Sequence, residues 1–290
     1  MKLYNRYIRR AGALLGVLSF CFLISAQETK DLLILHTNDT HSRVDPMSKR
    51  AKEVELADKG GYVRRATFIK EERKQDTDLL LFDCGDFSQG TPYYNMFRGE
   101  VEVELMNEMG YDAATIGNHE FDFGLDNMLR LYKMADFPIV CANYDFTGTV
   151  LEGVVKPYVI LERKGIKVGV FGLSPKLEGL VQEKNCEGVV YNEPNEVANK
   201  IAEHLKNEEK CDVVICLSHL GWKSGPNNPD CDELLIPNTR NIDVVLGGHS
   251  HSFFEKTLFY KNMDGVEIPL QQMGKNGIFV GKMDLKFTKE

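Results

Sequence analysis

The sequence predicts an α/β protein, and three observations carry that expectation. Short apolar runs rich in Leu, Ile and Val recur at 31–36, 79–83, 112–116, 138–142, 212–217 and 242–246, each of strand length. Stretches with apolar residues every three to four positions lie among them, at 62–75, 99–109, 125–136 and 193–208, and read as helices. Five of the runs end in a residue able to bind metal. In an open sheet of parallel strands those carboxyl ends gather on one side, where ligands bind. A hydrophobic content of 43 % in 290 residues is ample for the core of one large domain or two small ones.

The first 26 residues read as an address. Residues 1–10 carry Lys2, Arg6, Arg9 and Arg10, residues 11–26 are uncharged and mostly apolar, and Gln27 opens a polar region. That order is the order of a secretory signal peptide cleaved after Ala26. An apolar run of about sixteen residues is short for a membrane span. The alternative, a lipoprotein site at Cys21, is disfavoured because Phe20 is bulky where a small residue is expected and apolar sequence continues past Cys21. The expectation is an exported chain, periplasmic or in the cell envelope, with no stable transmembrane span and a working part at 27–290. The leader holds four of the 35 basic residues and none of the 43 acidic ones, so the rest of the chain has a net charge of −12. Such a chain repels nucleic-acid polymers. A small anionic substrate would need a local positive source, and no basic cluster in the sequence supplies it.

The elements, in order, place the chemistry. Run 31–36 is followed by Asp39 and His41, two apart, which an extended backbone would aim to the same side. A carboxylate and an imidazole together suit a divalent transition metal. His36, inside the run, reads as structural. Residues 44–59 read as a long loop. Helix 62–75 has Val63, Ala66 and Ile69 as its apolar face. Arg64, in its first turn, has two readings, a substrate contact or a structural ion pair, and the second is preferred. Run 79–83 leads to Gly85 and Asp86. Helix 99–109 feeds strand 112–116, which breaks at Gly117 and leaves Asn118 and His119 at the strand end. The Asn118 amide oxygen suits a hard cation, and the His119 imidazole can transfer a proton. Asp122, three residues on, can orient that ring through its other nitrogen. Both Asn118 and His119 are also candidate substrate contacts.

Helix 125–136 and strand 138–142 come next, then a hairpin of 156–161 with 167–173. Helix 193–208 has Val197, Ile201 and Leu205 on its apolar face, with His204 off it in solvent. Strand 212–217 ends at Ser218-His219, and 221–239 reads as a loop holding Trp222. Strand 242–246 ends at Gly247-Gly248-His249-Ser250-His251. The runs 253–260, 267–272 and 278–287 are expected to be antiparallel strands closing a second sheet. None of the six cysteines after the leader makes a C-x-x-C pair. Cys84, Cys141 and Cys216 read as buried small residues, and a disulfide at Cys186 or Cys231 stays open.

Seven candidate ligands, Asp39, His41, Asp86, Asn118, His219, His249 and His251, exceed what one catalytic metal with an open position needs. They suit two divalent cations sharing one bridging carboxylate, for which Asp86 is placed. Two cations, two carboxylates and a bridging hydroxide leave about one positive charge facing the substrate, which is the missing local source. Such a pair, about 3.5–4 Å apart, generates hydroxide near neutral pH and clamps a phosphoryl group during in-line attack. Mixed nitrogen and oxygen donors allow zinc, manganese, iron or cobalt.

Asn-Asp-x-His, Gly-Asp, Gly-Asn-His-Glu-Phe-Asp, Ser-His and Gly-Gly-His-Ser-His, in this order, resemble the calcineurin-like metallophosphoesterases. The full forms at 36–41, 117–122 and 247–251 resemble its 5′-nucleotidase branch, and the match runs from about residue 32 to 287. The resemblance implies a four-layer α/β/β/α sandwich. It implies that Asp39, His41, Asp86 and His251 hold one metal and Asp86, Asn118, His219 and His249 the other. It implies that His119, supported by Asp122, stabilises the transition state and assists the leaving oxygen. In this branch Asn or Gln often stands at the position of His251. The branch also commonly has a C-terminal domain that grips the nucleoside. The expectation is that 27–290 is the catalytic domain alone, with a separate partner chain supplying that second domain or another phosphoester as substrate. The implied activity is hydrolysis of phosphate monoesters, 5′-nucleotides foremost. The alternatives are a phosphodiesterase on cyclic nucleotides or nucleotide sugars, and a non-catalytic surface binding protein.

Overall fold

Alternating side chains on doubly buried strands build three apolar layers. The structure, a computed structural model, describes residues 29–52, 54–225 and 229–288. The expected leader and Cys21 lie outside the described residues. The strands are β1 (Thr29–Thr37), β2 (Leu80–Asp83), β3 (Ala113–Thr115), β4 (Ile139–Val140), β5 (Tyr144–Asp145), β6 (Tyr158–Arg163), β7 (Ile166–Leu173), β8 (Val190–Tyr191), β9 (Val213–Ser218), β10 (Val244–Leu246), β11 (Leu258–Lys261), β12 (Glu267–Gln271) and β13 (Gly281–Thr288). The helices are α1 (Tyr62–Gln75), α2 (Pro92–Phe97), α3 (Glu100–Met109), α4 (Gly124–Met134), α5 (Pro194–Asn207) and α6 (Asp232–Leu235).

One sheet runs β13-β1-β2-β3-β4 and the other β11-β12-β10-β9-β7-β6. In each the central strands are parallel, and antiparallel strands lie only at edges: β13 in the first, β6 and β11 in the second. Along β1, Leu32 and Ile34 face the second sheet, while Leu33 and Leu35 face α1, α3 and α4. Along β9, Val213, Ile215 and Leu217 face the first sheet, and Val214 and Cys216 face α5. The two sheets share one apolar layer and each is covered outside by helices, so the architecture is the four-layer α/β/β/α sandwich. Such strands must be apolar on both sides.

Several expectations are corrected. Run 278–287 does not close the second sheet: β13 pairs with β1 over eight residues, Thr29↔Thr288 to His36↔Gly281. Run 267–272 supplies β12, which is antiparallel to β11 through the turn at 262–266, as expected, but parallel to β10 on its other side. Val63 does not face the core; it is 74 % exposed, and Arg65 takes the inward place with Ile69. Its aliphatic stem makes that possible. On α5 the buried line is Ala198, Ala202 and Leu205, with Val197 and Ile201 packed at its flank. His204 is not simply solvated: its ring meets the Tyr158 hydroxyl at 3.0 Å and Glu208 at 3.1 Å. The loop at 221–239 contains α6, and the Trp222 ring packs on Phe254 and donates to the Tyr260 hydroxyl. Helix α2 had no counterpart in the sequence reading. All six cysteines after the leader are free. No helix among the described residues is long and apolar enough to cross a membrane.

His36 bonds one sheet to the other inside the shared layer. Its Nε2 donates to Gln271 Oε1 at 3.0 Å, its Nδ1 has no partner, and it is wholly buried. A Cβ on Gly281 would lie 2.0 Å from the ring, so β13 carries glycine there. Burial lowers the His36 pKa from 6.5 to about 4, against the hydrogen bond, which raises it. The unfolded chain therefore takes up this proton first, and the contribution is fully present above pH 6.5 and lost as pH falls to 4. It amounts to about 3 kcal/mol at most. Urea midpoints measured from about pH 7 to about 4.5, across the window this linkage sets, should fall more steeply for the wild type than for His36→Gln. Equal slopes would remove His36 from the pH response.

Candidate metal centre

The ends of β1, β2, β3, β9 and β10 deliver every donor. Asp39, His41, Asp86, His249 and His251 all have left-handed backbone, with φ of 48°, 46°, 56°, 69° and 52°. Asp39 and His41 converge through this tight turn, not through extended alternation as expected. Short polar residues tolerate that conformation in turns. Asp39 Oδ2 accepts from the His249 amide at 2.9 Å and from Asn38 Nδ2 at 2.7 Å. Asp86 Oδ1 accepts from the His119 amide at 2.9 Å. Close approach dictates the glycines. A Cβ on Gly117 would lie 2.1 Å from Asp86 Oδ1, and one on Gly248 2.8 Å from His219 Nδ1.

Two donor sets result. Asp39, His41 and His251 present ligand atoms within 4.8 Å of one another, and so do Asp86, His219 and His249. Nε2 of His41 lies 2.9 Å from Nε2 of His251, which lies 3.4 Å from Asp39 Oδ1. His219 Nε2 is 3.1 Å from Asp86 Oδ2 and 4.0 Å from Asp39 Oδ1, so the sets adjoin. The opposite ring nitrogens are engaged: His41 Nδ1 donates to the Ser88 carbonyl at 3.3 Å and His219 Nδ1 to the Cys84 carbonyl at 2.6 Å. These second bonds fix the tautomer and aim Nε2 at the cluster.

Asp39 Oδ1, Asn118 Oδ1 and His219 Nε2 are buried without a hydrogen-bond partner. Unpaired buried polar atoms are costly, and three converging here suit cations as their partners. The residues present thus fit two divalent metals. Electrostatics divide: they favour a charged Asp86 and a neutral His249, while His219 is drawn toward protonation and must give up that proton to a cation. Burial raises the Asp86 pKa, but the His219, His119 and His41 imidazoles outweigh it and hold the carboxyl ionised. Burial lowers the His219 pKa, and Asp86 with Asp39 more than reverses this. Burial, then the neighbouring His219, lowers the His249 pKa to about 4, so that ring is neutral, as a ligand must be.

His119 stands beside the first set, its ring 5.5 Å from that of His41. Nδ1 lies 3.1 Å from Asp122 Oδ2, and the pair is about one-third exposed. Burial lowers the His119 pKa, but the hydrogen bond to Asp122 and the Asp86 charge carry it up to about 8. Arg64, a candidate substrate contact, is not brought here: its guanidinium pairs with Asp58 at 3.7 Å and with nearby backbone carbonyls, half exposed. The sequence reading missed two supports. Asn38 ties Asp39 to Gly274 and Met273, and buried Gln272 ties the Gly248 carbonyl to Ser250 and Ser252. Asn38 adjoins a motif residue; Gln272 had no local signal.

This fold and these donor sets define a metallophosphoesterase. The profile of the calcineurin-like phosphoesterase family matches residues 32–253, and the chain belongs to that family. A snake venom 5′-nucleotidase from Gloydius brevicauda is 32 % identical, over 94 % of this chain and 48 % of its own length. Among solved structures, a 5′-nucleotidase precursor from Thermus thermophilus superposes with a TM-score of 0.78 at 29 % identity, covering 88 % of this chain and 51 % of that one. The calcineurin-like phosphoesterase YfkN from Bacillus subtilis gives 0.75 at 29 % identity, covering 91 % and 87 %. The chain spans about half the length of the curated relatives it matches.

Cations that bind only the folded protein should stabilise it by mass action, by about 2.7 kcal/mol at a hundredfold excess over Kd, and so raise its melting temperature. Calorimetry of chelator-treated protein with and without Mn²⁺ checks this, and Asp39→Asn should shrink the rise. Gly117→Ala should lower metal content as well, because its methyl would displace the Asp86 carboxylate.

Proposed function

We propose that this chain hydrolyses phosphate monoesters, 5′-nucleotides foremost, with two divalent cations as cofactors. The observation that supports this most is the pair of adjoining donor sets, with unpartnered buried atoms, beside an oriented His–Asp pair. Asp39, His41, Asp86 and His251 would hold one cation, and Asp86, Asn118, His219 and His249 the other. When bound, the cations supply Lewis acidity and the positive charge that an acidic protein needs to attract a phosphoryl group. Asp122 holds His119 Nδ1, which leaves Nε2 to donate a proton to the departing ester oxygen. The Asn118 side chain, at the same strand end, would also contact the phosphoryl group. Zinc, manganese, iron and cobalt all suit this mixture of imidazole, carboxylate and amide.

Export is part of the proposal, supported by the basic-then-apolar order of residues 1–26. Nucleoside selectivity is assigned to residues outside the described domain, in this or a partner chain, because the matched relatives are about twice as long as the aligned part. The domain by itself should therefore release phosphate from aryl phosphates, ribose 5-phosphate and nucleoside monophosphates at similar rates once metal-loaded. A strong preference for one nucleoside monophosphate would overturn that assignment, and faster cleavage of phosphodiesters would favour the diesterase alternative. His119→Ala should lower kcat about 10²–10⁴-fold with metal content unchanged; unaltered turnover would remove the proton-donor role.

A further inference from the structure

Glu120 stands between His119 and Phe121 in the motif and has no task in the scheme above. Its carboxylate is 1 % exposed and makes no ion pair among the described residues. Its three partners are all backbone amides. Oε2 accepts from Gly117 at 2.6 Å and from Asp86 at 3.0 Å, and Oε1 accepts from Ser88 at 3.1 Å. Buried carboxylates are expensive unless fully hydrogen-bonded, and amides given to a carboxylate form stronger bonds than neutral pairs do.

Each of those amides belongs to, or adjoins, a residue that carries the site. Asp86 is itself a donor of the second set and, in the scheme above, the bridge to both cations. Gly117 precedes Asn118, and the Gly117 bond fixes the Ile116–Gly117 peptide, one before the peptide that leads into Asn118. The Ser88 carbonyl receives Nδ1 of His41, a donor of the other set. One carboxylate thus clamps the loop after β2 to the loop after β3, and it reaches the first set by two routes: through Ser88, whose carbonyl takes His41 Nδ1, and through Asp86, whose carbonyl accepts from the His41 amide at 3.0 Å. We infer that Glu120 is a positioning residue that fixes the two donor sets against each other, and that weakening it releases the set of Asp39, His41 and His251 first. This rests on the reading of both sets as metal sites.

The asymmetry follows from counting donors. A glutamine at 120 has one oxygen. Keeping it on Gly117 and Asp86 satisfies two amides and turns its NH₂ against the Ser88 N–H, donor facing donor. The opposite flip sets the NH₂ against two amides and is worse. Ser88 therefore gives way, and His41 loses the acceptor that orients it. Outer partners of this kind typically change metal affinity about 10–100-fold.

The test uses the full chain, freed of metal and titrated with Mn²⁺, read by metal analysis and electron paramagnetic resonance. Wild type should bind two ions with an exchange-coupled spectrum. Glu120→Gln should bind one tightly, with an uncoupled spectrum, and the other at least about tenfold more weakly. Glu120→Asp, which keeps both oxygens, should recover coupling in part. Two ions bound by Glu120→Gln with wild-type affinity, or both lost equally, would overturn the inference. Fewer than two ions on the wild type would instead sink the metal reading. A second measurement needs neither metal nor a variant that folds. In the metal-free wild type, the amides of Asp86, Ser88 and Gly117, all in loops, should exchange with solvent as slowly as those of β2. Exchange within seconds would overturn the clamp.

Discussion

Backbone amides at the strand ends hold two buried carboxylates by one oxygen each, and the rest of the molecule is arranged to keep them there. Asp39 takes the amide of His249 and Asp86 the amide of His119. The bond to Asp39 joins the end of the first sheet to the end of the second across 210 residues. Each leaves its other oxygen turned toward imidazole nitrogens. Imidazoles steady the Asp86 carboxylate, while Asp39 Oδ1 stays buried without a hydrogen-bond partner, a position that suits a cation. The doubly covered sheets supply the rigidity that keeps these groups from relaxing apart. Pro-rich or exposed loops alone would not.

The same constraint connects an acidic chain to an anionic substrate. Burial separates the site from the net negative surface, and the charge that matters is set within a few ångströms by what the donor sets hold. Neutral imidazoles at His41 and His249 would bind cations without adding charge of their own. His119, which like His219 is drawn toward protonation, is backed by Asp122 and lies beside the first donor set.

Much of the arrangement was legible because its signals are local. A polar residue after a short apolar run, with a glycine beside it, needs no knowledge of distant sequence. Parallel topology then places the ends of five such runs together. The bounds of α1 were readable for the same reason. What was illegible depended on distant partners or on which of two side chains turns inward. Val63 and Arg65 are competing choices on α1, and hydrophobicity alone selects the wrong one because Arg65 buries its stem. The turn at Asp39 and His41 was misread as extended because two-residue spacing is compatible with both geometries. Gln272 supports Gly248 from a different strand end, and nothing near it in the chain marks that role. The edge that β13 completes is fixed by partners as far apart as Thr29 and Thr288, beyond any periodicity argument.

That pairing has a consequence for how the molecule comes into being. β1 and β13 bracket the described chain, and joining them closes a loop whose entropy costs about 5 kcal/mol. Eight paired residues, at about 1 kcal/mol net per hydrogen bond, offset this only with a modest margin. While the chain is still being synthesised, the outer edge of β1 has no mate and is a template on which strands of other molecules can add. A chain kept unfolded until β13 has been made never exposes that edge in a half-built sheet, whereas one that folds from its amino end as it emerges does so until β13 follows.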